Sequence, residues 1–350
     1  MNIIYKGPLF VKKNRANSVI IMLFLLTAAS FLISVILGRY SISIGQIIQI
    51  IICKVSGSPI PASIDCNMDT ILFQVRLPRI LSAVLIGAGL SISGATYQGM
   101  FRNPMVSPDI LGASAGAGFG AAIGILMSFG SIGIEITSFL FGILAVGLSY
   151  FASKVISRGS NAIVLVLTGM VVSTLFQSLI SLTKYVADPY SKMPAITFWL
   201  MGGLSTISPD DTKILFAVIL AAAMPLMLIR WKINVISFGE EEAMALGINI
   251  SKIRILLVIC STLITAACVS VSGMIGWVGL IVPHFARMLV GPNYKILLPA
   301  SCLIGCTYLL VVDDIARSVF PMEIPLGILT SFIGTPFFMY LLLKGKKGWA

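Results

Sequence analysis

Charged residues are scarce in this chain of 350 residues. They make up 11% of it, with 13 acidic residues, whereas 57% of the residues are hydrophobic and the mean hydropathy is +1.02. A soluble domain carries roughly 25% charged residues, so this shortage of charge excludes a soluble protein. Apolar runs near the ~20 residues that cross a bilayer recur instead along the whole length.

Sequence motifs of catalysis are also missing. The chain has no GxxxxGKS/T phosphate loop, no HExxH or GxSxG motif, and no pair of carboxylates within an apolar run. Its single histidine, His284, is a weak indication of a metal site or proton relay, and a packed or hydrogen-bonded role is favoured. We therefore expect a protein that is not an enzyme and that holds neither a cofactor nor a metal ion.

The six cysteines do not have the pattern of a metal site. Cys302 and Cys306 would share a helical face, but a third and a fourth ligand are missing nearby. With Cys260 and Cys268 they lie in apolar runs and are expected to pack as small hydrophobic side chains. Cys53 and Cys66 share one loop, and whether they form a disulfide stays open.

Lysine and arginine give the chain a net charge of +11. Because these residues are scattered among short loops, they favour contact with a membrane surface over nucleic acid. The first apolar run, from about Ser18, has no small-residue cleavage pattern after it. It therefore predicts a membrane span and not a signal peptide.

The apolar runs predict an all-α polytopic membrane protein with about ten transmembrane helices, forming one domain over residues 1–350. The eighth and ninth spans are short for a ~30 Å hydrocarbon core, so we expect them to be tilted or sheltered by partners. The predicted spans cover residues 18–37, 79–100, 110–129, 133–153, 162–182, 213–230, 254–273, 276–290, 297–312 and 324–343.

The distribution of basic residues predicts the orientation. With the N-terminus in the cytoplasm, the inner segments hold 16 of the 24 lysines and arginines. This bias agrees with the positive-inside rule and predicts that both termini are cytoplasmic.

A short internal repeat points to two related halves. SISG at residues 91–94 is followed by Pro104, and SVSG at residues 270–273 is followed by Pro283, with an offset of 179 residues in each case. Since the two copies end spans of opposite direction, they predict an inverted repeat, as in many transporters. Chance similarity between apolar segments remains the alternative.

The stretch GEEEAMALG, residues 239–247, is the only cluster of three acidic residues. Its glutamates would lie in the first turn of a short helix, where carboxylates favour the positive end of the dipole. Gly247 would end that helix in the left-handed conformation, leaving Ala243, Met244 and Leu246 as a small apolar surface. From these residues alone, a helix gripped by another protein and an ordinary solvated loop helix are both open.

Four separated stretches are specific enough to identify a family. They are VRLPR (75–79) with LIGAGLSISGATYQGMFRNPMVSPDILGASAGAG (85–118), FGEEEAMALGI (238–248), SGMIGWVGLIVPHFARMLVGPNYKILLPAS (272–301) and VVDDIARSVFPMEIPLGILTSFIGTPFFMYLLLK (311–344). Their order, spacing and wording closely resemble the FecCD-type permeases, the membrane subunits of ABC importers for iron–siderophores, haem and vitamin B12. The resemblance covers nearly the whole chain from residue 70 onward.

The resemblance implies three protein partners. These are a separate ABC ATPase, an extracytoplasmic substrate-binding protein and a second permease chain, identical or related. The acidic stretch would be the coupling helix seated in a cleft of the ATPase. The residues with that role would be Glu240, Glu241, Glu242, Ala243, Met244, Leu246 and Gly247.

Three arginines match the family's docking positions for the binding protein, namely Arg76, Arg79 and Arg317. Guanidinium groups pair bidentately with carboxylates, which suits such a contact. The alternatives are that they extend from the apolar region to the membrane interface, or that Arg317 pairs within its own helix with Asp313.

A transport pathway is expected at the interface of two permease chains. The fifth predicted span offers Thr168, Gly169, Ser173 and Gln177 as its candidate lining. Hydrogen bonding between packed helices would explain the same polar groups.

The favoured function is inward translocation of an iron–siderophore or related chelate across a bacterial or archaeal cytoplasmic membrane. The cargo is not determined, and haem, cobalamin and oxyanions such as molybdate stay open. An ion-coupled secondary transporter is the alternative, but it would normally place an ionisable residue at mid-membrane, and the sequence shows none. An intramembrane enzyme would need a nucleophile and base, which the sequence also lacks.

Overall fold

The described part of the chain folds into α-helices joined by short loops. The computed structural model describes residues 13–40, 42–58, 61, 64–157, 162–319 and 321–345. The helices are α1 (Lys13–Ile36), α2 (Ile44–Ser56), α3 (Cys66–Thr70), α4 (Leu77–Met100), α5 (Ala113–Leu126), α6 (Ser131–Ile156), α7 (Ala162–Val186), α8 (Lys192–Met201), α9 (Pro209–Phe238), α10 (Glu240–Ala245), α11 (Ile250–Ser272), α12 (Val278–Val290), α13 (Tyr294–Ser318) and α14 (Leu326–Gly345). A π-helical turn (Ile71–Arg76) joins α3 to α4, and a 3-10 turn (Pro108–Leu111) precedes α5.

Each of the ten predicted spans contains a helix, and the all-α prediction is confirmed. Seven helical stretches among the described residues are long and apolar enough to cross a membrane, whereas α5, α12 and α14 are shorter apolar helices. The predicted shortness of the eighth span is confirmed by α12, which has 13 residues. For the ninth it is wrong, because α13 has 25 residues. Charged residues near its end lower the local hydropathy, but they pair inside the protein and the helix continues.

Helix α4 forms the centre of the molecule. In the apolar 18-residue segment of the helical stretch that includes α4, 83% of the residues are buried. In the corresponding segments of α1 and α6, 22% are buried. Its glycines allow unusually close packing: a Cβ atom on Gly94 would lie 1.8 Å from the carbonyl oxygen of Gly279 on α12. A Cβ atom on Gly87 would lie 2.2 Å from the carbonyl oxygen of Gly305 on α13. Small residues thus let the backbones meet, as is typical of membrane helices.

The two copies of the internal repeat differ in local structure. Residues 91–94 lie inside α4, whereas residues 270–272 end α11 and Gly273 follows with φ +68°. Pro104 lies in a loop, but Pro283 lies inside α12. The matched segments and the matched prolines thus differ in local structure and do not support the inverted repeat, which stays a prediction.

Two further predictions concern residues that lie outside the described part of the chain. The segments 1–12 and 346–350 are not described, so the cytoplasmic position of both termini stays a prediction. The side chain of Cys66 is not described either. Cys53 lies in α2 and its thiol is free, so the structure does not support the Cys53–Cys66 disulfide or the prediction that Cys53 lies in a loop.

Replacing Gly94 by alanine should destabilise the fold. The new Cβ would overlap the backbone of Gly279, and overpacking of this kind costs about 1–3 kcal/mol. We expect a lower thermal unfolding midpoint for the detergent-solubilised chain. Gly147→Ala is the matched control, because no atom lies within 4 Å of its added Cβ. Equal midpoints for the two variants would contradict the close contact of α4 and α12.

Candidate functional site

The predicted acidic helix is present as α10, one and a half turns that follow α9 after Gly239. Within α10 the side chain of Ala243 is completely buried, and the N–H of Ile248 donates to the carbonyl oxygen of Ala243 at 3.0 Å. Gly247 has φ +74°, and its N–H donates to the carbonyl oxygen of Met244 at 2.9 Å. The prediction that Gly247 ends the helix in the left-handed conformation is confirmed.

The three glutamates of α10 have different environments. Glu240 forms an ion pair of 2.6 Å with Arg254 of α11, whose side chain is buried. Glu241 and Glu242 are exposed. The sequence pattern treats the three acids as one group, but among them only Glu240 pairs with a residue of another described helix.

An apolar surface projects from the same end of the molecule. Phe238, Met244 and Leu246 are 81%, 58% and 69% exposed. A cluster of large exposed apolar side chains next to charged residues is typical of a protein-binding surface. The sequence predicted Ala243, Met244 and Leu246 for this surface. For Ala243 the prediction is wrong, because its side chain is packed against the core and completely buried. Phe238 was missed, because it ends the long apolar run of α9.

Hydrogen bonds position the end of α9 from which α10 continues. The Nδ2 of Asn234 donates to Oδ1 of Asn293 at 2.8 Å. Oδ1 of Asn234 accepts from the N–H of Tyr294 at 2.7 Å. Through this amide, α9 is fixed to the start of α13, and α10 is held in a defined direction.

Two of the three predicted docking arginines lie in a buried ion-pair network. Nη2 of Arg79 lies 2.8 Å from Oδ1 of Asp313, and its Nη1 lies 3.0 Å from Oε1 of Glu323. Nη2 of Arg317 lies 2.5 Å from Oδ1 of Asp314 and 2.7 Å from the carbonyl oxygen of Ser34. The network therefore joins α1, α4 and α13 with the loop before α14.

Arg76 is buried beside this network and binds the backbone. Its guanidinium donates to the carbonyl oxygens of Val35 at 3.1 Å and of Tyr40. The expected pair of Arg317 with Asp313 is present at 3.6 Å, longer than its pair with Asp314. None of the three arginines is exposed, so docking through them stays a prediction that requires their internal partners to give way.

The predicted pathway residues do not share one face of α7. Thr168 is buried and donates to the carbonyl oxygen of Ser149 on α6 at 3.0 Å. Gly169 packs so closely on the 3-10 turn that a Cβ atom would lie 2.3 Å from the carbonyl oxygen of Ile110. Ser173 is half-buried, and only Gln177 is exposed. Helix packing thus accounts for Thr168 and Gly169 in this structure, and their role in a pathway stays a prediction.

A polar stripe occupies the exposed face of α7 instead. It consists of Thr174, Gln177, Ser178 and Ser181, which recur at intervals of three to four residues. The hydroxyl of Ser178 donates to the carbonyl oxygen of Thr174 at 3.0 Å, within the same helix. Spacing alone could not separate this stripe from the buried hydroxyls, because the buried face of α7 is set by α6 and the 3-10 turn.

A cavity of about 350 Å³ lies beside the Arg79–Glu323 pair. It is bounded by Phe198 and Trp199 of α8 and by residues 202–206. The turn before α8 is held by Asp188, which accepts from the N–H of Ser191 at 2.8 Å and from its hydroxyl. The hydrogen bond from the Ser191 hydroxyl is the main reason why the pKa of Asp188 lies below its usual value.

The chain belongs to the FecCD transport family, which matches residues 25–344. Proteins of this class are permeases of ABC transporters, which are transport subunits rather than catalysts and work with an ATPase and a second permease chain. With seven long apolar helical stretches among its described residues, this chain is a multi-pass membrane protein and the permease of an ABC importer. The comparisons give no support to the ion-coupled alternative.

Individual relatives differ in the cargo that they are named for. The molybdate import system permease protein MolB of Haemophilus influenzae is 42% identical over 324 residues, which cover 93% of this chain and 95% of MolB. The Fe(3+)-citrate import system permease protein YfmE of Bacillus subtilis is 37% identical, with 80% of this chain and 84% of YfmE covered. A solved structure described as an inward-facing metal-chelate type ABC transporter is 40% identical, with a TM-score of 0.84, and the match covers 94% of this chain and 99% of that one.

The asparagine variant of Asp313 should be strongly destabilised. It would leave Arg79 and Arg317 buried without the carboxylate that both face, and breaking a buried pair costs about 3–5 kcal/mol. We expect a large fall in the thermal unfolding midpoint. The exposed pair of Asp210 with Lys213 provides the control, because Asp210→Asn should cost only about 0–1 kcal/mol. A parent-like midpoint for Asp313→Asn would show that the network contributes little to the fold.

Proposed function

We propose that this importer moves a ferric chelate inward across a bacterial or archaeal cytoplasmic membrane. The relative named for Fe(3+)-citrate and the structure described as a metal-chelate type transporter support this cargo class. Haem and cobalamin belong to the same range of metal chelates. Molybdate is the second candidate, because a relative named for it is 42% identical over 93% of this chain.

The apolar surface of Phe238, Met244 and Leu246 is the observation that supports coupling through α10. In this proposal the surface sits in a cleft of the ATPase on the cytoplasmic side. The Glu240–Arg254 pair and the buried Ala243 then transmit the position of the ATPase to α11 and α9. Gly247 closes the helix, and the exposed Glu241 and Glu242 are available to basic side chains at the rim of the cleft.

The polar stripe of α7 supports a pathway between two permease chains. Gln177 keeps its predicted place in the lining, and Thr174, Ser178 and Ser181 join it because they are exposed. Exposed polar groups on a span-length helix are costly against lipid, so a water-filled path or a partner chain would stabilise them. Whether the second chain is identical or related does not change this argument.

Docking of a substrate-binding protein belongs at the end of the molecule with the arginine network. Glu323 is the part of this network that is partly exposed. Acidic side chains of the binding protein would compete with Glu323, Asp313 and Asp314 for the three guanidinium groups. Docking would in this way loosen contacts among α1, α4 and α13.

The aspartate double variant of Met244 and Leu246 tests the coupling surface. Two charges on the surface should abolish ATP-driven uptake and binding of the ATPase, while the permease stays inserted and folded. Met244→Leu/Leu246→Met is the matched control, since it keeps an apolar surface of similar volume and should transport at the parent rate. Parent-like ATPase binding and uptake in the aspartate variant would remove α10 from the coupling contact.

The cargo is tested with the permease, its ATPase and its binding protein reconstituted in proteoliposomes. We expect ATP-dependent uptake of radiolabelled ferric citrate to exceed that of molybdate at least tenfold. Uptake of molybdate alone would select the second candidate. Uptake driven by an ion gradient in the absence of ATP would contradict the ABC mechanism itself.

A further inference from the structure

An apolar groove runs between α6 and α11, and its lining residues include neither those of α10 nor those of the arginine network. Its volume is about 280 Å³. Its walls include Ile143, Gly147 and Tyr150 on α6, and Ile255, Ile259 and Leu263 on α11. Gly147 leaves space within it, because no atom lies within 4 Å of the position that a Cβ atom would take.

The groove opens to the surroundings of the membrane spans. Both helices are long and apolar enough to cross a membrane. Ile259 in the wall is exposed, and so are Leu144 and Leu148 on the neighbouring face of α6. An exposed apolar face on span-length helices suits contact with hydrocarbon.

Two lysines lie beyond the same end of the groove. At its other end α6 and α11 are in contact, since a Cβ atom on Gly142 would lie 3.2 Å from the Cβ atom of Ala266. From that contact both helices lead along the groove, α6 towards Lys154 and α11 towards Lys252. Lys154 follows Tyr150 by about 6 Å of helix, and Lys252 precedes Ile255 by about 4.5 Å.

The charges of these two lysines are available to a ligand. Both side chains are exposed, and the described residues include no ion-pair partner for either. Spacings of four residues on α6 and three on α11 keep both lysines on the faces that line the groove. The site thus combines an apolar slot with a basic end, which is also the end predicted to be cytoplasmic.

We propose that this groove binds one anionic phospholipid. An acyl chain lies along the slot, where Gly147 leaves space, and the phosphate lies between Lys154 and Lys252. Basic residues at the cytoplasmic surface attract anionic lipids, and tyrosine is enriched at the membrane interface, where the proposed site would place Tyr150. This site does not involve the cargo, and on α11 it lies next to Arg254, which pairs with Glu240 of α10.

The test is native mass spectrometry of the full-length permease with added phosphatidylglycerol or phosphatidylcholine of identical acyl chains. The parent should retain one phosphatidylglycerol at least tenfold more tightly than phosphatidylcholine. Gly147→Leu, which fills the slot, should remove this tight binding. The glutamine double variant of Lys154 and Lys252 should bind both lipids with equal affinity, because only the charge contact is lost.

Matched controls carry the same changes elsewhere on the surface. Ala221→Leu adds three of the same four carbons at an exposed position of α9, and Lys54→Gln/Lys213→Gln removes two exposed lysines away from the groove. Both should bind phosphatidylglycerol as the parent does. If Gly147→Leu fails to give a monodisperse protein, Ile259→Trp fills the groove from α11.

Three results would overturn the proposal. The first is parent-like phosphatidylglycerol binding in both groove-filling variants, and the second is an unchanged lipid preference in the lysine variant. The third is a co-purified polypeptide that is lost from Gly147→Leu, which would make the groove a site for a protein helix.

Discussion

Close backbone contact between α4 and α13 is the constraint on which the rest of the structure depends. The two helices are antiparallel, and Gly87 meets Gly305 near the middle of their contact. Arg79 and Asp313 pair towards one end, while Gly99 packs on Tyr294 at the other. These contacts extend over roughly 30 Å of α4, so one rigid pair of helices runs through the molecule.

Both regions that we connect with partner proteins are attached to this pair of helices. Towards one end, Arg79 also holds Glu323 in the loop before α14. At the other, Tyr294 is hydrogen-bonded to Asn234, which fixes the end of α9 and with it α10. Because closely packed backbones have little room to yield, displacement at one end is expected to move the helices as a unit.

The predictions of the helices, of the short acidic helix and of the family needed only interactions between residues close in sequence. Apolar runs located a helix in every predicted span, since a backbone in hydrocarbon must satisfy its own hydrogen bonds. The pattern of residues 239–247 predicted a short helix that ends at Gly247. Carboxylates favour the first turn of a helix and glycine its C-terminal end, and both effects involve only residues close in sequence. Resemblance in four separated stretches then identified the family, which residues 25–344 confirm.

Burial and partners could not be predicted in the same way, because they depend on residues far apart in the chain. Arg79 meets Asp313 across 234 positions, and this contact made a candidate docking side chain into an internal one. The length of α13 and the exposure of the polar stripe of α7 could not be predicted for the same reason. The sequence by itself determined the long helices, the short acidic helix and the family, since each depends on neighbours along the chain. Only the tertiary structure decided which arginines are paired, which face of α7 is exposed and that Phe238 joins the apolar surface, because these depend on how the helices pack.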